Sequence, residues 1–222
     1  MPKVPEVLLP AGSRIALFGR AGSGKTTWAR WYLARSPLRS IVLDSKHDPG
    51  FDRWLPSDRL LKMDEIEQGW TMRRCVVVRP SPHQSDPAIL DSYLLDIHDA
   101  FENVLVHVDE GYQVATGATA GPGLTGLMTR GRVRGQSVIV GSQRPAWLPR
   151  FVFSEANAFC VMALTLSPDR ARVYEFTGKS AVLNRLPDRE WLWYSVAKDR
   201  LTRFRPVVLR LPKRESQESS ST

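Results

Sequence analysis

Residues 19–26 read Gly19-Arg20-Ala21-Gly22-Ser23-Gly24-Lys25-Thr26 and match the pattern G-x-x-x-x-G-K-[ST] at every fixed position. An apolar run, Arg14–Gly19, precedes the stretch and is expected to be a strand; Lys25 to about Ala34 is expected to be a helix. Strand, glycine loop and helix in that order form a cradle for phosphate. The glycines allow consecutive backbone N–H groups to turn inward, and the helix amino terminus adds favourable partial charge. Lys25 would bridge β- and γ-phosphates, Thr26 would offer its hydroxyl to Mg²⁺, and Thr27 follows in the helix.

The same alternation continues outward from this unit. Strands are expected near Ile41–Asp44, Cys75–Arg79, Val104–Asp109, Ser137–Gln143 and Ala158–Leu164, with helices between them. Ala88–Phe101 is the clearest second helix: Ile89, Tyr93, Leu94, Ile97 and Phe101 recur at three- and four-residue steps, and Asp86-Pro87 reads as an N-cap followed by a first-turn proline. Ser167-Pro168-Asp169 reads as another helix start. Trp191–Val196 and Arg203–Leu211 read as a closing β-hairpin or edge pair. Thr116–Gly126 is expected to be a functional loop, being too rich in glycine for a regular element. The fold class is α/β: a mainly parallel central sheet flanked by helices. It fits a single domain over residues 1–211 and a disordered polar tail over 212–222.

The 222 residues include 31 Lys+Arg and 23 Asp+Glu, a net charge of +8, and 42% are hydrophobic, enough to build a core without staples. Cys75 and Cys160 each lie within an apolar run and read as buried thiols of a reducing compartment. No apolar run approaches the roughly 20 residues of a membrane span. Residues 1–10 show no secretion signal, so a cytoplasmic address is expected. The basic surplus favours a polyanionic partner.

A phosphate cradle alone does not distinguish a kinase, a GTPase and a motor. Val104-Leu105-Val106-His107-Val108-Asp109-Glu110 is a buried-type strand ending in two carboxylates: Asp109 can hold the metal shell, and Glu110 can orient and deprotonate water. His107 is expected to point away from the neighbours of Asp109, as a packed strand residue. Gln143, at the end of the Ser137–Gln143 strand, faces the same crevice and can sense a γ-phosphate through its amide. Arg130, Arg132 and Arg134 stand at alternate positions; an extended segment would aim all three one way, as an arginine finger toward a neighbouring subunit or as a basic patch.

With these pieces together the chain resembles the FtsK–HerA superfamily of P-loop motor ATPases, and within it the packaging ATPases of membrane-containing viruses. The resemblance spans about Arg14 to Leu164. It is carried by Gly19–Thr26, by Asp44-Ser45-Lys46-His47-Asp48 (similar to a D-x-K-x-[ED] signature), by Asp109-Glu110, and by the block from Gly131-Arg132 to Gln143-Arg144-Pro145. It implies a RecA-like domain that hydrolyses ATP with Mg²⁺ and forms a ring, usually hexameric, around double-stranded DNA. It casts Gln143 as polar sensor and Arg132 as trans-acting finger, with Arg130 second. The membrane-spanning and winged-helix parts of cellular DNA pumps are missing, which favours a minimal viral or plasmid-borne motor. A viral motor would act in the host cytoplasm and at the virion vertex, with a capsid or portal membrane protein as partner.

Two further features accord with a DNA motor. Lys198–Arg214 carries seven Lys/Arg and one Asp, a charge suited to phosphate contacts without sequence preference or to an ordinary edge strand. Thr116–Gly126 follows the acids and is the candidate pore loop. Trp28 and Trp31 on the first helix read as packing residues. Two alternatives stay open: an assembly or secretion ATPase similar to zonula-occludens-toxin-like proteins, which usually carry a span not found here, and a P-loop kinase, in which Glu110, Gln143 and a ring-facing arginine would share no task. A non-catalytic nucleotide-binding module would need neither Lys25 nor Glu110.

Overall fold

A computed structural model describes residues 7–115 and 120–208. Its strands are β1 (Arg14–Phe18), β2 (Arg39–Leu43), β3 (Leu55–Ser57), β4 (Cys75–Val78), β5 (Val104–Val108), β6 (Ser137–Ser142), β7 (Ala158–Val161), β8 (Trp191–Ser195) and β9 (Arg200–Phe204). They form one sheet in the order β3-β4-β2-β5-β6-β1-β7-β8-β9. Every pairing from β3 to β7 is parallel, and β7-β8-β9 closes the sheet with two antiparallel steps. The helices are α1 (Lys25–Leu33), α2 (Met63–Met72), α3 (Pro87–Ala100), α4 (Pro122–Thr129), α5 (Arg150–Ser154) and α6 (Ser167–Thr177).

Strands covered on both faces must be apolar throughout, and β1, β4, β5, β6 and β7 are buried along their whole length. Strand alternation divides their side chains between two cores. Ala16, Phe18, Val106, Val108, Val138 and Val140 share a core with residues of α3, α4, α5 and α6, whereas Ile15, Leu17, Leu105, Ile139 and Cys160 share one with residues of α1. The α1 face is filled by aromatic bulk: the Trp28 ring centroid lies 5.9 Å from Trp191 and 6.0 Å from Trp193. Trp28 and Trp31 therefore pack, as expected, and both cysteines are buried free thiols. At the start of α3, the Asp86 carboxylate accepts from the Ala88 N–H at 2.8 Å, the expected N-cap.

Three expectations are corrected. The glycine-rich stretch is not all loop. Residues 116–119 lie outside the described residues, but 122–126 belong to α4, whose first turn is capped from another helix: the Asp91 carboxylate accepts from the N–H groups of Gly123 (3.0 Å) and Leu124 (2.9 Å). A Cβ on Gly123 would stand 2.0 Å from the Asp91 carbonyl oxygen, so glycine there serves the close approach of α3 and α4. Second, Arg130–Arg134 is not extended. Gly131–Arg134 is a 3₁₀ turn held by the Gln136 N–H on the Gly131 carbonyl at 2.9 Å, while the Gln136 side chain is fixed on the carbonyls of His98 and Phe101. Third, the second strand of the closing hairpin starts at Arg200 and not Arg203, because a tight turn at Asp199 (φ 43°) reverses the chain early. Residues 209–211 of that expected strand, and the 212–222 tail, lie outside the described residues.

Gly123→Ala should force α3 and α4 apart and destabilise the protein by about 1–3 kcal/mol. Urea unfolding midpoints measure this; a midpoint equal to that of the unsubstituted protein would refute the close-packing role.

Candidate active site

The loop after β1 is hung between two strands: the Gly19 N–H donates to the Ser142 carbonyl at 3.2 Å, and the Arg20 N–H to the Ala163 carbonyl at 2.8 Å. Gly22 (φ 73°) and Gly24 (φ 105°) take left-handed conformations that allow the chain to curl before α1. Ala21, Gly22, Gly24, Lys25, Thr26 and Thr27 line a cleft of about 460 Å³. Gly19, Arg20 and Ser23 are its scaffold: the first two offer carbonyls to Lys25 Nζ at 2.7 and 3.2 Å, and Ser23 is buried with its Oγ 3.8 Å from Met162 Sδ.

The cleft is completed by Asp109 and Glu110 from the end of β5, Gln143 from the end of β6, Lys46 and Asp48 beyond β2, and Arg189. The expected sensor and both acids thus converge on the phosphate loop. Glu110 is buried and has both carboxylate oxygens engaged: Oε1 forms an ion pair with Lys46, and Oε2 accepts from the Gln143 N–H at 3.3 Å. Burial pushes the Asp109 carboxyl upward, but neighbouring His107, Lys46 and Lys25 outweigh it and hold the group below the usual carboxylate range. His107 is packed, as expected, yet it lies beside Asp109, with Nε2 3.6 Å from Oδ1 and Nδ1 3.3 Å from the Ile139 carbonyl. Strand alternation puts residues 107 and 109 on one side, so His107 points away from Val108, the chain neighbour of Asp109, as expected.

Lys46 and Asp48 are presented by a braced turn. Buried Asp44 accepts from the Asp48 N–H (3.1 Å) and from Arg79 Nε (2.9 Å), and Arg79 also reaches the Asp48 carbonyl at 2.8 Å. Beyond Gln143, Arg144 pairs with buried Asp169 at 3.0 Å, and the Asp169 carboxylate accepts from the Ala146 N–H. The loop carrying Gln143 is thereby tied to α6.

Arg130 and Arg132 are exposed and lie ahead of β6, at the opposite end of the sheet from the cleft. A six-residue strand separates Arg132 from Gln143, about 20 Å at strand rise, too far for an arginine to reach its own cleft. The residues that sequence reasoning left without a role are Lys46, Asp48 and Arg189. Lys46 and Asp48 had a signal in the Asp44–Asp48 pattern; Arg189 had none.

For Mg²⁺ the available donors are the Thr26 hydroxyl and the Asp109 carboxylate. Among the described residues no cluster of three or more His, Cys, Asp or Glu could hold a metal alone. This fits a hard cation that takes one or two protein oxygens and completes its shell with water and substrate phosphate.

Burial lowers the Lys25 ammonium to about 8, against the opposing pull of Glu110 and Asp109. The free protein is therefore losing the Lys25 proton as pH rises through 8, whereas a bound polyphosphate requires it. Nucleotide affinity should fall from pH 7 to 9.5, by roughly tenfold or more, with proton uptake on binding. Titration calorimetry in buffers of different ionisation enthalpy measures both; a flat profile would contradict the assignment.

No protein-family model matches the chain. It is 32% identical over 168 residues to the DNA packaging ATPase P9 of Enterobacteria phage PRD1, covering 73% of this chain and 69% of that protein. The fold is shared with the DNA-packaging ATPase B204 of Sulfolobus turreted icosahedral virus (TM-score 0.70, 15% identity, 90% of this chain and 100% of the other). It is shared also with B204 of Sulfolobus turreted icosahedral virus 2 bound to ATP-gammaS (0.68, 16%, 88% and 98%). The cytoplasmic domain of the type VII secretion ATPase EccC of Thermomonospora curvata aligns at 0.61 with 14% identity, over 93% of this chain and 27% of the other. With its glycine loop, strand-end acids and Gln143 in one cleft, this chain belongs to the family of the DNA packaging ATPase P9.

Proposed function

We propose that the chain is an ATP-hydrolysing motor that packages a double-stranded viral genome. The observation that carries this reading is the convergence of Lys25, Asp109, Glu110 and Gln143 on a single cleft. A P-loop kinase would have no use for a buried acid and an amide placed together where the terminal phosphate must lie.

In this reading the phosphate loop binds the triphosphate through backbone N–H groups, and the Lys25 ammonium spans its β- and γ-phosphates. Mg²⁺, held by Thr26 and Asp109, would neutralise charge on the phosphate oxygens. Glu110 orients the attacking water and takes its proton; it must first share or leave the Lys46 ammonium that now engages Oε1. Gln143 hydrogen-bonds the γ-phosphate and reports its loss to the loop that Asp169 ties to α6. Arg132, or Arg130, completes the site of a neighbouring subunit in a homo-oligomeric ring, most simply a hexamer. Their distance from their own cleft supports a role in trans.

The non-sequence-specific partner is double-stranded DNA, met by the basic surplus around the last strand, of which the part beyond residue 208 lies outside the described residues. Of the candidate pore loop, residues 116–119 lie outside them too. The domain is read as one unit over 1–211 with a tail over 212–222. No described helix is long and apolar enough to cross a membrane. The motor is placed in the host cytoplasm and at the virion vertex, against a capsid or portal membrane protein.

Glu110→Gln should bind ATP normally and lose turnover by about 10²–10⁴-fold; normal hydrolysis would remove Glu110 from the mechanism. Arg132→Ala should keep nucleotide affinity, lose activity, and regain it when mixed with subunits that supply the arginine. Failure of rescue for both Arg132→Ala and Arg130→Ala would count against a trans finger. DNA-stimulated ATPase should weaken steeply with salt; stimulation that ignores salt would contradict phosphate contacts.

A further inference from the structure

The strand β8 runs antiparallel to β7, so it begins where the parallel strands end. Phe18 is level with Val161, and Val161 with Leu192. The residues just ahead of Trp191 consequently land beside the phosphate loop, although about 165 residues separate them along the chain. They form a tight turn, Pro187–Glu190, closed by the Glu190 N–H on the Pro187 carbonyl at 3.3 Å.

Both central residues of this turn engage the loop. Asp188 pairs with Arg20 at 2.5 Å. Arg189 lies over Gly24: a Cβ built on that glycine would stand 3.8 Å from its Cα and Cγ. Arg189 has φ 64°, a left-handed conformation at the third position of a turn, where glycine is the unstrained choice. A long cationic side chain there is better explained by what it reaches than by what the backbone prefers. Among the described residues it makes no hydrogen bond or ion pair, and it lines the cleft with Lys25 and Thr26.

We propose that Arg189 is a nucleotide ligand supplied in cis, its guanidinium gripping the phosphate chain from the turn ahead of β8, with the Arg20–Asp188 pair holding that turn against the loop. This rests on the reading of the cleft as the nucleotide site. It adds a binding cation from the same subunit, separate from the arginines assigned to a neighbour. A planar guanidinium matches two phosphate oxygens at once. Because Arg189 lies against Gly24 at the amino end of α1, its contribution is to binding, equal for di- and triphosphate.

The experiment is calorimetric titration of the full chain with ADP and with a non-hydrolysable ATP analogue, for Arg189→Ala, Arg189→Lys and Arg189→Gly. The alanine and glycine variants should lose about tenfold or more in affinity for both ligands alike, and lysine should recover part of it. The glycine variant, free of the left-handed strain, should melt no lower than the unsubstituted protein in the absence of nucleotide. Unchanged affinity in the alanine variant overturns the proposal; so does a loss confined to the analogue, or a glycine variant whose nucleotide-free protein melts lower. Lys25→Ala separates the two readings: if it too binds ADP normally, the cleft is not the nucleotide site and the failure lies there.

Discussion

The parallel hydrogen-bond ladder that joins β5, β6 and β1 is the constraint on which the site depends. Phe18 is level with Ser142, and Val140 with Val108, so Gly19, Gln143 and Asp109 leave the sheet along one edge. A sheet twists but does not stretch along its strands. With this register, a phosphate loop, an amide and two carboxylates lie within reach of one small anion. A slip of one residue in β6 would turn Gln143 away from the cleft and move its apolar neighbours into the opposite core, where they do not fit.

Within that frame the charges balance before any ligand arrives. Lys25, Lys46 and Arg189 face Asp48, Asp109 and Glu110 across the cleft. Lys25 folds back on carbonyls of its own loop, and Lys46 holds Glu110. In the proposed mechanism a triphosphate entering this site competes for cations that are already in use, so its binding and the freeing of Glu110 are coupled through shared partners. Stiffness around the cleft comes from buried acids paired with half-buried arginines, Asp44 with Arg79 and Asp169 with Arg144, which brace the two loops that bear Lys46 and Gln143.

The two faces of the sheet solve different problems. One is covered by helices whose contacts are close enough to require glycine, as where Gly123 meets the Asp91 backbone. The other is covered by α1 and filled by Trp28, Trp31, Trp191 and Trp193, so the helix that follows the 19–26 loop is packed against the strand that brings Arg189 to the cleft. If Arg189 binds nucleotide as proposed, packing and ligand binding share the α1–β8 contact.

What could be read without the structure were features whose cause is local. Hydrophobic runs marked β1, β2, β4, β5, β6 and β7; Asp86-Pro87 and Ser167-Pro168 marked helix starts; the 19–26 pattern and the acids after β5 marked groups that line one cleft. Local causes also misled. The glycines of 122–126 suggested a loop because the partner that makes them useful, Asp91, belongs to another helix. Alternating arginines suggested an extended segment because the anchoring of Gln136 on α3 is a contact between distant parts of the chain. The same distinction decides the site: Lys25 and Glu110 are recognisable from their neighbours in sequence, whereas Lys46 on Glu110 and Arg189 on Gly24 exist only after strand order and direction have been chosen. Sequence specifies which groups can do chemistry; the register of parallel strands and the reversal at β8 decide which of them meet, because that meeting is a property of hydrogen-bonded strands far apart in the chain.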